Sequence, residues 1–216
     1  MSLGIMTHLR TQGKLERSGK SIVARSFFTN DWRGDKEFCR EIKMLAKLKH
    51  TNLVSIVVVG FCDNILDLII RYKHEAKGSL DKYLSDPTFT WTQRLQVCLD
   101  VARGLSYIHY DKQRSFNVIH SNLKSSKILL DEQWEAKISG FELSKTNPVA
   151  RRHGLDLDSE IRGTYAYVDA AYVKSGGVTL KSDVYALGVI LMEVMCGNKA
   201  FISDSHELTP LCFLCR

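Results

Sequence analysis

The sequence predicts an α+β fold in two lobes, a strand-rich first third followed by a mainly helical remainder. Three observations carry that expectation. β-branched and aromatic runs at 21–28, 52–61 and 65–72 surround a single amphipathic helix. A polar joint, Lys73 to Gly78, then interrupts the pattern. Beyond it, two long apolar-periodic stretches, Trp91 to Tyr110 and Asp183 to Cys196, dominate the chain.

Taken in order, residues 1–20 are polar, with Gly13 and the Ser18-Gly19 pair predicting a hairpin tip before a strand at Ser21 to Phe28. Lys36 to Leu48 reads as a helix, because Phe38, Ile42, Leu45 and Leu48 recur at spacings of four and three. Strands at Asn52 to Phe61 and Ile65 to Tyr72 flank a Cys62-Asp63-Asn64 turn. Ser79 to Leu84 reads as a short helix capped by Ser79. On the Trp91 to Tyr110 helix, Leu95, Cys98, Leu99, Ala102, Leu105 and Ile108 form the expected buried face. Thr146 to Gly177 reads as a long polar loop that includes Arg151-Arg152-His153. The Asp183 to Cys196 helix is apolar nearly all round, belongs in a core, and should stop at Gly197.

Bulk composition narrows the function classes. The chain has 216 residues, 44% hydrophobic and 25% charged, which is enough to bury a proper core. Its net charge of +6 is spread along the chain, which favours a solvated surface over a nucleic-acid site. Cys39, Cys62, Cys98, Cys196, Cys212 and Cys215 have no framework spacing, so buried free thiols in a reducing compartment are expected. Cys212-x-x-Cys215 lacks a second ligand pair for zinc. The first ten residues contain no apolar signal core, and Gly4 is misplaced for myristoylation. Leu53 to Cys62 and Val184 to Met195 are too short to span a bilayer. A soluble, cytoplasmic protein without membrane insertion is the expectation.

The chemistry concentrates in Val118 to Lys145, VIHSNLKSSKILLDEQWEAKISGFELSK. Ile128-Leu129-Leu130 and Ala136-Lys137-Ile138 are short β-type runs about a turn, which would bring polar loops at both ends of the hairpin to one place.

This stretch resembles the eukaryotic protein kinases, most closely the plant receptor-like serine/threonine group. The resemblance rests on EFCREIKMLAKLKHTNLV (37–54), KGSLDKYLSD (77–86), ARGLSYIHY (102–110), VIHSNLKSSKILLDEQWEAKIS (118–139) and KSDVYALGVILMEVMCG (181–197), in family order. It implies one bilobal kinase-like domain over 1–216: a small lobe at 1–72, a hinge at 73–78 and a helical lobe at 79–216. The chain ends in LTPLCFLCR (208–216), which resembles nothing in the family, so the resemblance also implies truncation at both ends and an exposed flank on the 183–196 helix.

Position by position, the family's charge-handling residues are replaced. No G-x-G-x-x-G precedes the first strand. Arg25 stands where the phosphate-binding lysine belongs, with Glu41 as its helix partner; an Arg25–Glu41 pair would hold the lobe together without a nucleotide. The catalytic loop H-R-D-x-K-x-x-N reads His120-Ser121-Asn122-Leu123-Lys124-Ser125-Ser126-Lys127, so an amide replaces the carboxylate base and a cation replaces a metal ligand. Lys124 survives. The metal loop D-F-G reads Gly140-Phe141-Glu142, with Glu142 expected to face elsewhere. Ser121 replaces the arginine that would pair with a phosphorylated loop, leaving Ser159, Thr164 and Tyr165 as exposed hydroxyls. Leu45, His120, Phe141 and Asp183 match packing and anchoring positions that run through both lobes.

Losing one preorganised charge-stabilising group costs about 10²–10³-fold in rate. The resemblance with these replacements implies a catalytically inactive kinase fold, a pseudokinase, that acts as a binding or scaffold module in receptor-kinase signalling. It implies protein partners such as another kinase or receptor, no nucleic acid, and no cofactor. The alternative is a weakly active serine/threonine kinase that takes ATP and Mg, with Lys14 or Lys20 replacing the lost lysine and Lys127 standing in for metal charge. A second alternative is a non-functional truncated product.

Overall fold

The computed structural model describes residues 10–14, 21–28, 32–62, 67–151, 156–157 and 161–200. Strands β1 (Arg10–Lys14), β2 (Ser21–Phe28), β3 (Ile56–Cys62) and β4 (Asp67–Lys73) form an antiparallel sheet in the order β1-β2-β4-β3. Helix α1 (Trp32–Leu45) packs against this sheet. The rest of the described residues hold three smaller sheets and three further α-helices. The architecture is α+β, as the sequence predicts.

The first hairpin and β2 lie where the pattern puts them; the Ser18-Gly19 tip is outside the described residues, as are Asp63 and Asn64 of the predicted turn after Cys62. Helix α1 starts four residues before the expected Lys36, because its first turn, Trp32-Arg33-Gly34, has no apolar period to announce it. It ends at Leu45, where a tight turn sends the Lys47 N–H to the Met44 carbonyl. Strand β3 starts at Ile56 instead of Asn52 because the intervening backbone is used elsewhere. Ile138 N–H donates to the Asn52 carbonyl (2.9 Å), Val54 N–H donates to the Ile138 carbonyl (3.0 Å), and Asn52 Nδ2 donates to the Ala136 carbonyl (3.1 Å). These bonds tie the segment after α1 to the central hairpin.

Ser79 does not cap a helix. It pairs with Leu129 as part of β5 (Gly78–Ser79), and only a 3₁₀ turn, Leu80–Lys82, follows, with no side-chain cap. Helix α2 (Trp91–Tyr110) has the predicted bounds and a capping box in which Thr90 and Gln93 bond reciprocally. Its buried face differs from the expectation. Trp91, Leu95 and Leu99 are exposed, while Val97, Asp100, Val101, Gly104, Leu105, Ile108 and His109 are buried. The buried polar groups are paired at a distance: Asp100 Oδ2 accepts the Ala136 N–H, and His109 Nε2 meets Asp183 Oδ2 at 2.8 Å. A count of apolar residues cannot register such partners.

Strands β6 (Phe116–Ile119) and β9 (Lys145–Pro148) pair antiparallel, and β7 (Ile128–Leu130) pairs β8 (Ala136–Ile138) with Ile128 opposite Ile138. Asp131 shapes the β7–β8 turn by accepting N–H groups from Gln133 and Glu135. The segment predicted as a long loop carries structure. Strand β10 (Asp156–Leu157) pairs β11 (Gly177–Val178), and α3 (Ala170–Ser175) has Asp169 as its N-cap.

Helix α4 (Leu180–Cys196) begins three residues before the predicted start, behind a Thr179–Ser182 capping box, and ends at Gly197 in the left-handed region, φ 73°. Ala186, Val189, Ile190 and Val194 are buried, whereas Val184, Tyr185 and Met195 lie exposed along the expected flank. The three described thiols are less buried than predicted: Cys39 is exposed, and Cys98 and Cys196 are half-buried. No helix among the described residues is long and apolar enough to cross a membrane.

Candidate functional site

The β7–β8 hairpin delivers two polar loops to one place. The loop before β7 is anchored from α4: Asp183 Oδ2 accepts the His120 N–H at 2.7 Å, and its Oδ1 accepts the Ser121 N–H at 2.9 Å. Ser121 sits at φ 67°, an uncommon conformation for a non-glycine residue, and the two backbone bonds to Asp183 hold the loop in it. His120 is fully buried. Its Nε2–H donates to the Ser139 carbonyl at 3.1 Å, and its Nδ1 accepts the Asn122 N–H at 3.3 Å. Only the neutral ring satisfies both contacts, and burial pushes its pKa below the usual histidine value, against the raising effect of Asp183. The His120 and Phe141 rings meet edge-on, 4.9 Å between centroids. Leu45 and Phe141 lie in one core cluster.

The second loop supplies Ser139, Gly140 and Glu142. Ser139 donates both its N–H and its Oγ–H to the Lys127 carbonyl, each at 2.8 Å. Lys127 is 9% exposed and Glu142 5% exposed; Lys127 Nζ donates to Glu142 Oε1 at 2.5 Å. Glu142 therefore faces the loop before β7, contrary to the expectation that it points elsewhere. The cause is local: the 3₁₀ turn Phe141–Leu143 turns Glu142 back toward β7, where the Lys127 ammonium compensates its buried charge. Lys127 just before β7 and Glu142 just after β8 flank the same open end of the hairpin, where Ile128 pairs Ile138, but the sequence alone does not show that they meet. Gly140 has φ 86°, and a Cβ there would lie 2.5 Å from Lys127 Cδ.

Lys124 Nζ donates to Thr164 Oγ1 at 2.8 Å, joining the loop to the segment before α3. Burial lowers the Lys124 pKa, and the nearby Lys127 ammonium adds to the effect. A small cavity lies between Asn122, Arg162, Thr164 and Tyr167, with Ser121 Oγ buried beside it and unbonded among the described residues. Further along, Tyr167 donates to Glu193 Oε1 at 2.6 Å inside the protein, and burial followed by the neighbouring charge of Glu193 raises the Tyr167 pKa.

The chain matches the description protein tyrosine and serine/threonine kinase over residues 10–209. It belongs to that family. Among curated proteins it is similar to three Arabidopsis thaliana receptor-like protein kinases. It is 40% identical to THESEUS 1 (88% of this chain, 22% of that protein), 39% identical to FERONIA (78% and 18%) and 36% identical to ANXUR2 (84% and 21%). The chain spans about a fifth of the length of these kinase-family relatives.

Set on the kinase-family positions, Asn122, Lys124, Lys127 and Gly140 converge around the β7–β8 hairpin. Glu41 lies in the core of the small lobe, where Tyr72 Oη donates to its Oε1 at 3.0 Å. Nothing in the strand pattern around Tyr72 announces a partner on a distant helix. Arg25 is placed by its backbone alone, opposite Ile70 on β4 and Arg10 on β1. Its side chain lies outside the described residues, as do Lys20, Ser159, Arg152-His153 and residues 201–216; the Lys14 side chain is likewise undescribed. Thr164 is engaged by Lys124, while Tyr165 is exposed. Among the described residues no three His, Cys, Asp or Glu side chains cluster as a metal-ligand set.

Proposed function

We propose that this kinase-family chain does not transfer phosphate and serves as a binding or scaffold module, on the cytoplasmic side of receptor-kinase signalling, for protein partners such as another kinase or a receptor. The observation that carries the reading is the state of the reacting position. Asn122 offers an amide where a substrate hydroxyl needs a carboxylate to take its proton. The one carboxylate of the neighbouring loop, Glu142, is held at 2.5 Å by Lys127. A carboxylate locked in a buried ion pair is a poor base, because protonating it strands the ammonium. The framework persists beside this: Asp183 grips the loop, and His120 packs on Phe141. A binding module needs the shape of the fold, and these contacts supply it. A radiolabel phosphotransfer assay on the purified chain with a generic protein substrate is expected to give no turnover above that of a heat-denatured control. Turnover abolished by Asn122→Ala would overturn the reading.

The second reading, weak serine/threonine phosphotransfer, is favoured by one observation, the Lys124–Thr164 bond between the catalytic loop and the segment before α3. It requires that ATP with magnesium stabilise the protein, since a ligand selective for the native state raises the melting midpoint. A thermal titration with ATP, with and without magnesium, that shows no shift would eliminate it.

A further inference from the structure

We propose that Lys127, Glu142 and Gly140 form one interdependent plug that occupies the kinase-family metal position and excludes divalent cations from the cleft. The inference deepens the non-catalytic reading and rests on it for the claim that no metal-dependent step is served.

The family implies magnesium at this place, and the residues present do not fit it. A divalent cation needs oxygen donors, yet Lys127 brings an ammonium and Gly140 brings no side chain. The nearby carboxylate, Glu142, is 5% exposed, and its Oε1 is 2.5 Å from the Lys127 Nζ. A metal ion would have to displace that ammonium while lying within a few ångströms of it, where like charges repel strongly in a low-dielectric setting.

Gly140 is the structural complement of the lysine. A Cβ built there meets Lys127 Cδ at 2.5 Å, Nζ at 2.8 Å and Cε at 2.9 Å. Real Cβ atoms do not approach so closely, so any side chain at 140 must push the lysine stem aside. The far end of a lysine yields easily on a surface, but this one is pinned. Its ammonium is bonded to Glu142 and its carbonyl accepts both bonds from Ser139. The left-handed backbone of Gly140, φ 86°, adds a further penalty for a side chain. The space vacated at 140 and the lysine that fills it are thus one change written at two positions, with Glu142 supplying the counter-charge.

Two measurements on the full chain test this independently of phosphotransfer, so this inference and the non-catalytic reading can fail separately. In the first, Mn²⁺ binding is followed by the loss of the free-ion electron paramagnetic resonance signal. Wild type and Gly140→Asp are expected to bind Mn²⁺ no better than a heat-denatured control, while the double variant Lys127→Asn with Gly140→Asp binds about tenfold tighter or more. Mn²⁺ binding by Gly140→Asp equal to that of the double variant, or none by a folded double variant, overturns the proposal. In the second, thermal midpoints are compared around a cycle. Gly140→Ala is expected to lower the midpoint by about 4 °C or more in the wild-type background. In the Lys127→Asn background at least half of that loss should disappear. Equal losses in the two backgrounds show that the positions are independent and overturn the proposal even if the double variant above does not fold.

Discussion

Asp183, in the first turn of α4, accepts the backbone N–H of His120 through Oδ2 at 2.7 Å. The same carboxylate accepts the Ser121 N–H at 2.9 Å and contacts His109 Nε2 at 2.8 Å. A buried carboxylate surrounded by donors is well satisfied; an amide in its place turns an N–H₂ toward at least one of them. Asp183→Asn is expected to lower unfolding stability by about 2–3 kcal/mol, the worth of bonds to a charged acceptor. Urea unfolding followed by circular dichroism measures it. A loss below about 0.5 kcal/mol would show that the loop is held by other contacts.

Two helical glycines should respond to alanine with opposite signs. Gly104 on α2 faces the segment before β3, and a Cβ there would lie 2.9 Å from the Asn52 carbonyl oxygen and 3.0 Å from Ile138 Cδ1. That oxygen already bonds Ile138 and cannot retreat cheaply. Gly104→Ala should cost about 1–3 kcal/mol by overpacking. Gly188 on α4 has nothing within 4 Å of such a Cβ. Gly188→Ala should stabilise the protein by about 0.5–1 kcal/mol through backbone entropy alone. The same unfolding experiment reads both, and two shifts of the same sign would contradict the packing assigned to α2.

His120 makes stability depend on pH. Burial, the largest cause, depresses its folded-state pKa below the unfolded value near 6.5. Below pH 6.5 the unfolded chain takes up a proton that the native state refuses, so the contribution of this group is complete above that pH and falls as the pH drops toward the folded value. The slope cannot exceed about 1.4 kcal/mol per pH unit for one proton. Urea midpoints between pH 7.5 and pH 5.5 should fall more steeply for wild type than for His120→Asn, in which nothing titrates at this position. Half-buried His50 is shifted the same way by burial and contributes to both proteins alike. Parallel slopes would contradict a neutral His120.

Much of this molecule is legible in its residues. The β7–β8 hairpin, strand β2 and the limits of α2 follow from short-range apolar periodicity, which reports how a segment meets the nearest core. Positions set by distant polar partners are illegible by that route. Asp100 and His109 look like solvent-facing residues on α2 until Ala136 and Asp183 are seen to complete them. The exposed Leu95 and Leu99 show the same limit from the other side, since an apolar residue does not declare which neighbour covers it. Around the hairpin, the replacements at Asn122, Lys127 and Gly140 are plain in the sequence. What the sequence withholds is that Lys127 and Glu142 meet, because that depends on a single 3₁₀ turn after Gly140.

The 2.5 Å separation between a Cβ built at Gly140 and Lys127 Cδ also governs the order in which these positions can change. A side chain introduced first at 140 collides with the lysine. An asparagine introduced first at 127 removes the ammonium bonded to Glu142 Oε1. Each single change therefore carries its own penalty, a steric one at 140 and an electrostatic one at 127. The present arrangement is a local optimum that drift one residue at a time does not readily leave.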